Sequence, residues 1–360
     1  MKRILTINGG SSTIKFALFE ASNPPKKLFT EKLEGSDGAI EKILARVDSV
    51  ELSAVGHRIV HGGPNLIEPT RVTPQVLDEL RKLVPIDPDH LPGEIALIEA
   101  MHQHAPNVSQ VLCFDTAFHA TLPRVATLLP IPRRYNAAGI RRYGFHGLSF
   151  TYLMNELKKL DPKAAEGKLI LAHLGAGASL AAISNGNCVD TTMSFTPTAG
   201  LVMATRTGDL DPGVLVHLLR TENLTADAMN DLVNRQSGLL GISETTGDMR
   251  KLLAARKTDV RSAEAVEIFC HAARKQIAAM AAALDGVQTL IFSGGIGENA
   301  AEVRSEICRG LNFLGIRLDE SANAANCAVI SAAGSACTVR VIATDEEQVI
   351  ADQTRSLLKF

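Results

Sequence analysis

Apolar positions along the 360-residue chain follow two periods, and together they spell alternating strands and helices. Ile14, Phe16 and Leu18 alternate with Lys15, Ala17 and Phe19, which is the period of a strand. Ile4, Leu5 and Ile7 just before them form another. Strands are predicted near 4–8, 13–19, 53–60 and 109–114, and helices near 74–84 and 93–104, the first opened by Thr73-Pro74 as cap and first position. After Asp161-Pro162 the pattern restarts. Lys168 to Ile183 reads as strand, small-residue turn and strand, and Asn185-Gly186 reads as a hairpin turn. A long helix follows near 263–284, then a strand at 288–293 that enters Ser293-Gly-Gly-Ile-Gly-Glu-Asn299 and a helix. A last strand at 338–343 ends at Thr344-Asp-Glu-Glu347 before a final helix, which is too short to stand alone and is expected to return to the first domain. The pattern is α/β throughout, with no linker or low-complexity tract.

The turn after the first strand, Asn8-Gly-Gly-Ser-Ser-Thr13, suits an anion: glycines allow close backbone approach, and hydroxyls and free N–H groups supply donors. It is not the G-x-x-x-x-G-K-[ST] phosphate loop, because a strand and not a helix follows. The restart repeats this layout. Ile4 matches Ile170, Gly9 matches Gly175, Thr13 matches Ser179 and Ile14 matches Leu180, an offset of 166 throughout. Two related halves, each with a glycine-rich hairpin, would grip a polyphosphate from both sides of a cleft. The duplicated hairpin resembles those of the actin-like and sugar-kinase-like ATPases.

Composition narrows the classes. The length suits two domains with real cores. A net charge of −2, from 37 basic and 39 acidic residues, implies no general attraction to nucleic acid or to an anionic membrane. No apolar run reaches the length of a membrane span. Six cysteines without a C-x-x-C pair read as buried free thiols in a reducing cytoplasm.

Six further stretches concentrate polar groups at predicted strand ends or turns. They are Gly56-His-Arg-Ile-Val-His-Gly-Gly63, Phe114-Asp-Thr-Ala-Phe-His119, Arg141-Arg-Tyr-Gly-Phe-His-Gly147, Thr205-Arg-Thr-Gly-Asp-Leu-Asp211, Ser293 to Asn299, and Asp345-Glu-Glu347. With the opening hairpin, their order and spacing resemble the acetate kinase family, from Asn8 to Glu347. The resemblance implies two duplicated actin-like/ribonuclease-H-like domains with a nucleotide cleft between them: 1–148, completed by the C-terminal helix 347–360, and 149–346, which binds nucleotide. It implies reversible transfer of the ATP γ-phosphoryl to acetate, with Mg2+ (or Mn2+ in its place) as cofactor, in a homodimer. Small molecules, ATP/ADP and acetate/acetyl phosphate, are the expected partners.

The chemistry such a reaction demands agrees with the residues. Both substrates are anions, so cations must first cancel repulsion and then stabilise charge on the transferring phosphoryl. Arginine stays protonated and grips carboxylate or phosphate with two N–H groups. By resemblance Arg58 is the substrate-binding arginine, Arg206 the transition-state arginine, and His146 the histidine that donates to the phosphoryl in transit. Asn8 and Glu346 match the magnesium-associated residues, which requires the chain ends to meet. Asp115 matches the catalytic aspartate. Acetate is already ionised near neutral pH, so the expectation is that Asp115 orients Arg206 or a magnesium-bound water and does not act as a base. The resemblance places the phosphates against Lys15 and His173, Leu174, Gly175, Ala176 and Gly177. It places the adenosine end against Asp248, Met249 and Arg250 and against Gly295, Ile296, Gly297, Glu298 and Asn299.

The chain also departs from the family pattern. Ala176 stands for an Asn in the second phosphate hairpin, Phe150 for a His four residues after His146, and Asp345 for an Asn. Asp89 stands where an apolar acyl-pocket leucine is expected, so Leu91 or Val60 is predicted to supply that surface. A kinase for propionate or butyrate remains an alternative, since a methylene in an apolar pocket is worth only about 1–3 kcal/mol. A non-kinase actin-like ATP-binding protein is a second. A dinucleotide-binding oxidoreductase is disfavoured, because Gly175-Ala-Gly177 lacks the third glycine and leads into a strand.

Overall fold

The computed structural model describes residues 2–10, 13–35, 38–47 and 51–360, so Ser11 and Ser12 of the opening turn lie outside the described residues. The chain forms two compact units. The first comprises Met1–Ala120, Phe145–Tyr152 and Asp345–Phe360; the second comprises Thr121–Gly144 and Leu153–Thr344.

In the first unit, β1 (Arg3–Gly9), β2 (Thr13–Glu20), β3 (Lys26–Glu34), β4 (Ala54–Ile59), β5 (Thr70–Arg71) and β6 (Ser109–Phe114) make one sheet in the order β3-β2-β1-β4-β6-β5. The first three strands are antiparallel, whereas β1, β4 and β6 run parallel. Alternation sends Leu5, Ile7, Phe16 and Leu18 to one face, where they pack with Ile40 and Ile43 of the helix Ala39–Val47. Ile4, Ala17 and Phe19 go to the other face with Ala351 of the C-terminal helix Glu346–Leu358, and Val111 and Cys113 join Val349 and Ile350 there. Burying one such side chain is worth about 1.5–3 kcal/mol, so this helix closes a face that would otherwise be exposed. Gly56 of β4 lets it approach: a Cβ there would lie 2.4 Å from Thr354 Oγ1 and 2.6 Å from Ile350 Cγ2.

In the second unit, β7 (Lys168–Leu174), β8 (Ala178–Ser184), β9 (Asn187–Thr191), β10 (Thr289–Ser293) and β11 (Thr338–Val341) take the order β11-β10-β7-β8-β9. Again three antiparallel strands are followed by two parallel ones. The helix Val260–Ala283 starts at Asp259, whose carboxylate accepts from the Arg261 and Ser262 amides, and buries Ala265, Val266, Phe269, Ala273, Ile277 and Met280.

Several details differ from the pattern-based expectations. Strand β3 and the helix Ala39–Val47 were not anticipated. Strand β3 is a sheet edge whose lysines and glutamates hide the period of Phe29 and Leu33, which pack on the core. The stretch Gly294–Asn299, read as a turn before a helix, is itself helical and is followed by a second helix, Ala301–Cys308. The segment Thr121–Gly144, placed at 1–148 with the first domain, falls in the second unit. Arg142 explains it: its guanidinium donates to the Thr191 carbonyl at 2.7 Å and to the Ala126 carbonyl at 3.0 Å, and the Tyr143 amide donates to Ser194 O at 2.9 Å. The duplication also needs an adjustment. Matched at 166, Ile7 corresponds to His173, but their partners are Phe16 and Ser179, an offset of 163 (179 − 16). The second strands therefore match three residues out of step with the first, and the pairings Thr13–Ser179 and Ile14–Leu180 do not hold in register.

Candidate active site

In the first unit the parallel strands β1, β4 and β6 end at one edge of the sheet, the edge where open α/β sheets bind ligands. Arg58 is the penultimate residue of β4 and Asp115 follows β6; the Asp115 amide donates to Ile59 O at 2.9 Å. The Arg58 guanidinium gives Asp115 Oδ2 two hydrogen bonds, from Nη2 at 2.7 Å and Nε at 3.0 Å, and its Nη1 donates to the Gly9 carbonyl at 3.0 Å. The Asp115 side chain is fully buried and that of Arg58 is 15% exposed. Burial alone would lower the Arg58 value, but Asp115, then Glu346 and Glu94, hold it above the ordinary arginine range. Burial pushes Asp115 upward, Arg58 pulls it down and Glu346 pushes it up again. Because Arg58 stays protonated and grips it twice, the pair stands as an ion pair. The arginine that Asp115 holds in the first unit is Arg58, a pairing the sequence reading did not anticipate.

The chain ends do meet. Asn8 Nδ2 donates to Glu346 Oε2 at 2.8 Å and to Glu347 Oε1 at 3.1 Å. Glu347 titrates above the ordinary glutamate value, first because it is buried and then because Glu346 faces it, while Lys15, paired with Asn8 across β1 and β2, lowers it. Asp345 caps the C-terminal helix by accepting from the Gln348 amide and ion-pairs with Lys27. His146 does not lie in a strand. It takes the left-handed conformation at φ 60° just before the helix Gly147–Leu160. Its neighbour must be glycine: a Cβ at Gly147 would sit 2.1 Å from Asp115 O, which accepts from the Gly147 amide. Phe150 is fully buried against Phe118 and His119.

In the second unit a pocket of about 810 Å3 is lined by Gly175, Ala176, Asp248, Met249, Arg250, Gly295, Ile296 and Asn299, with Ala204, Gly247, Leu253 and Ala300. Three separate sequence segments predicted to hold nucleotide thus converge. His173, Leu174, Gly177, Gly297 and Glu298 are not among its lining residues. Glu298 instead accepts from the Gly294 amide at 2.9 Å and the Thr344 amide at 3.1 Å. Gly294, at φ 76°, passes so close to Leu174 that a Cβ would lie 2.7 Å from its carbonyl. Asp248 caps the helix Met249–Ala255 and ion-pairs with Arg250 at 2.7 Å. Arg206 lies in the loop before the helix Pro212–Thr221, partly buried, with Nη1 on Pro197 O at 3.3 Å.

Two buried charged positions beside these sites escaped the sequence reading. Arg304 is fully buried. Its guanidinium donates to Gly297 O at 2.8 Å and Glu298 O at 3.0 Å, and also to Asn323 and Asn326, so it fixes the end of the short glycine-rich helix that lines the pocket. Glu94 lies on the buried stripe Leu91, Glu94, Ile95, Ile98, Met101 of the helix Leu91–His104. Both positions carry one signal, a charged residue at an apolar phase of a helix. Leu91, predicted for the acyl pocket, belongs to the core with Ile59, Leu80 and Phe114. Asp89 instead lines a second cavity in the first unit, beside Gly9 and Gly10.

The Acetokinase family model matches residues 29–352. An acetate kinase of Rhodopseudomonas palustris (strain TIE-1) is 40% identical, across 97% of this chain and 96% of that protein. The crystal structure of Porphyromonas gingivalis acetate kinase superposes with a TM-score of 0.89 at 34% identity, covering 99% of this chain and 100% of the other. A propionate kinase from Francisella tularensis superposes with a TM-score of 0.91 at 33% identity over the same shares.

Proposed function

The chain belongs to the acetate kinase family, and from that premise we propose how its own residues divide the work of moving the γ-phosphoryl of ATP reversibly onto acetate. The buried Arg58–Asp115 pair carries the reading. It holds a permanent cation at the sheet edge, against the Gly9 carbonyl, where an incoming carboxylate needs its charge cancelled. Arg58 binds the acid and Asp115 keeps its guanidinium in place. A carboxylate oxygen of acetate attacks the γ-phosphorus, the bond to the β–γ bridging oxygen breaks, and ADP leaves with that electron pair. No proton is removed from acetate, so Asp115 need not be a base. Arg206 and His146 donate to the phosphoryl oxygens in flight. Lys15 attends the phosphates, as does the β7–β8 turn from His173 to Gly177. The adenosine end occupies the pocket bounded by Asp248, Met249, Arg250, Gly295, Ile296 and Asn299, with Gly297 and Glu298 shaping its wall.

Magnesium suits the first unit. Asn8 holds the carboxylates of Glu346 and Glu347 together, and the charge crowding that, after burial, raises Glu347 is what a cation would relieve. Among the described residues no three His, Cys, Asp or Glu side chains converge as a ready metal cage. Asn8 and Glu346 would hold the ion together with water and phosphate oxygens. Bound there, it would supply charge neutralisation across the phosphates; Mn2+ offers the same ligand preference. The homodimer and cytoplasmic residence are part of the same proposal. Among the described residues no helix is long and apolar enough to cross a membrane, and the thiols of Cys113, Cys188, Cys270, Cys308 and Cys337 are buried and outside any disulfide.

Trapping acyl phosphate as the hydroxamate, with a series of acids from formate to butyrate, tests the activity and ranks the acids. Arg206→Ala should lose about 10²–10³ in turnover while the protein stays folded. Turnover within a few-fold of the parent at unchanged thermal stability removes Arg206 from the mechanism.

A further inference from the structure

We propose that Glu94 is a further acid-binding residue, donating a hydrogen bond from its carboxyl group to the carboxylate of the acyl substrate in the cavity it shares with Gly9 and Gly10. The inference rests on the reading that acetate is the phosphoryl acceptor. The cavity measures about 220 Å3, ample for a short acid, and of its lining residues Glu94 and Gly9 are buried while Gly10 and Gly93 are exposed. It adjoins the Arg58–Asp115 pair, because Arg58 Nη1 rests on the Gly9 carbonyl.

Glu94 is only 5% exposed, and among the described residues both of its oxygens accept from one donor, the Val60 amide, at 3.1 and 3.2 Å. The guanidinium nearest in charge, Arg58, already gives its N–H groups to Asp115 and Gly9. A buried carboxylate normally gathers several donors, and this one has few. The charged groups around it are Arg58 on β4, Asp115 at the end of β6, and Asp87 from the segment ahead of its helix. Asp89 and His90 line the same cavity, with His90 Nδ1 held to Asp87 Oδ1 at 2.8 Å. Burial first, then Asp87 and Asp115, raises Glu94 to about 8 against the pull of Arg58. At neutral pH it therefore carries its proton, and the cavity gains an O–H donor in place of another negative charge. A carboxylic acid facing a carboxylate makes a short, charge-assisted hydrogen bond.

Acetate and ATP kinetics of Glu94→Gln and Glu94→Leu test this, with hydroxamate readout between pH 6 and 9. Glu94→Gln keeps the size and supplies an N–H donor; it should stay within a few-fold of the parent at pH 7. Glu94→Leu should raise the acetate KM about 10- to 100-fold and leave the ATP KM unchanged. Acetate is ionised across this range, so a rise in its KM towards pH 9 reports the protein; the parent should show that rise and Glu94→Gln should not. An unchanged acetate KM in Glu94→Leu overturns the inference. So does a pH profile in Glu94→Gln that matches the parent, which decides the matter even if Glu94→Leu fails to fold. A parent protein that forms no acetohydroxamate overturns the acetate reading itself and this inference with it, whereas failure of Glu94 alone leaves parental turnover intact.

Discussion

The β1–β2 and β7–β8 hairpins share a topology and stand among different neighbours. In each sheet the hairpin is flanked on one side by an antiparallel edge strand and on the other by two parallel strands, β4 and β6 or β10 and β11. Around the first turn the neighbours bring charge: Arg58 from β4, Asp115 after β6, and Glu346 and Glu347 from the C-terminal helix. Around the second they bring mostly small and apolar surface, Gly295 and Ile296 after β10 and Met249 and Leu253 from the helix Met249–Ala255, with the charges of Asp248 and Arg250 paired to each other. A turn of glycines is thus a neutral platform. The chemistry around it is set by the neighbouring strand ends and helices, and in both units a parallel neighbour contributes part of it.

The largest effect should follow from breaking the charged half. Arg58→Ala leaves Asp115 buried and without its arginine, which should cost about 3–5 kcal/mol of stability and about 10²–10³ in turnover. Denaturant unfolding and steady-state kinetics measure both. Arg58→Lys should not rescue turnover, because an ammonium cannot reproduce the two-point grip. Parental turnover in either variant would separate the ion pair from the chemistry.

A smaller effect is expected in the apolar half. Arg304→Met keeps bulk but strips the donors from Gly297 O and Glu298 O, freeing the helix that lines the pocket. The ATP KM should rise about tenfold with the acetate KM unchanged. Equal changes in both constants would mean that Arg304 supports the fold at large and not the pocket.

A further effect sharpens the contrast through pH. Glu94 has a folded value of about 8 against an ordinary 4.5, so between these limits the folded state keeps a proton that the unfolded state has released. Its contribution to stability is complete below about 4.5 and is lost as pH rises towards 8, with a slope of at most about 1.4 kcal/mol per pH unit. Denaturant midpoints at pH 5, 6, 7 and 8 should fall along this course and flatten in Glu94→Gln. A parental slope that persists in that variant would assign the proton to another group.

Local pattern was enough to reveal the hairpins, the long helix Val260–Ala283 and the Thr73-capped helix Pro74–Leu83, because period, turn residues and caps are encoded by neighbours a few positions apart. The same information placed Arg58, Asp115 and the Gly295–Asn299 stretch at element ends and brought the acetate kinase family into view. Three facts required the folded chain. Asp115 takes Arg58 as its partner because β4 and β6 are parallel neighbours, a long-range pairing that no spacing states. The meeting of Asn8 with Glu346 depends on the C-terminal helix covering the β1–β4–β6 face. And Glu94 and Arg304 read in sequence as ordinary polar residues of amphipathic helices, since the side chain is the same in water or in a core. Burial alone turns them into a raised carboxyl and a fixed guanidinium, because the cost of removing charge from water is set by what packs around it.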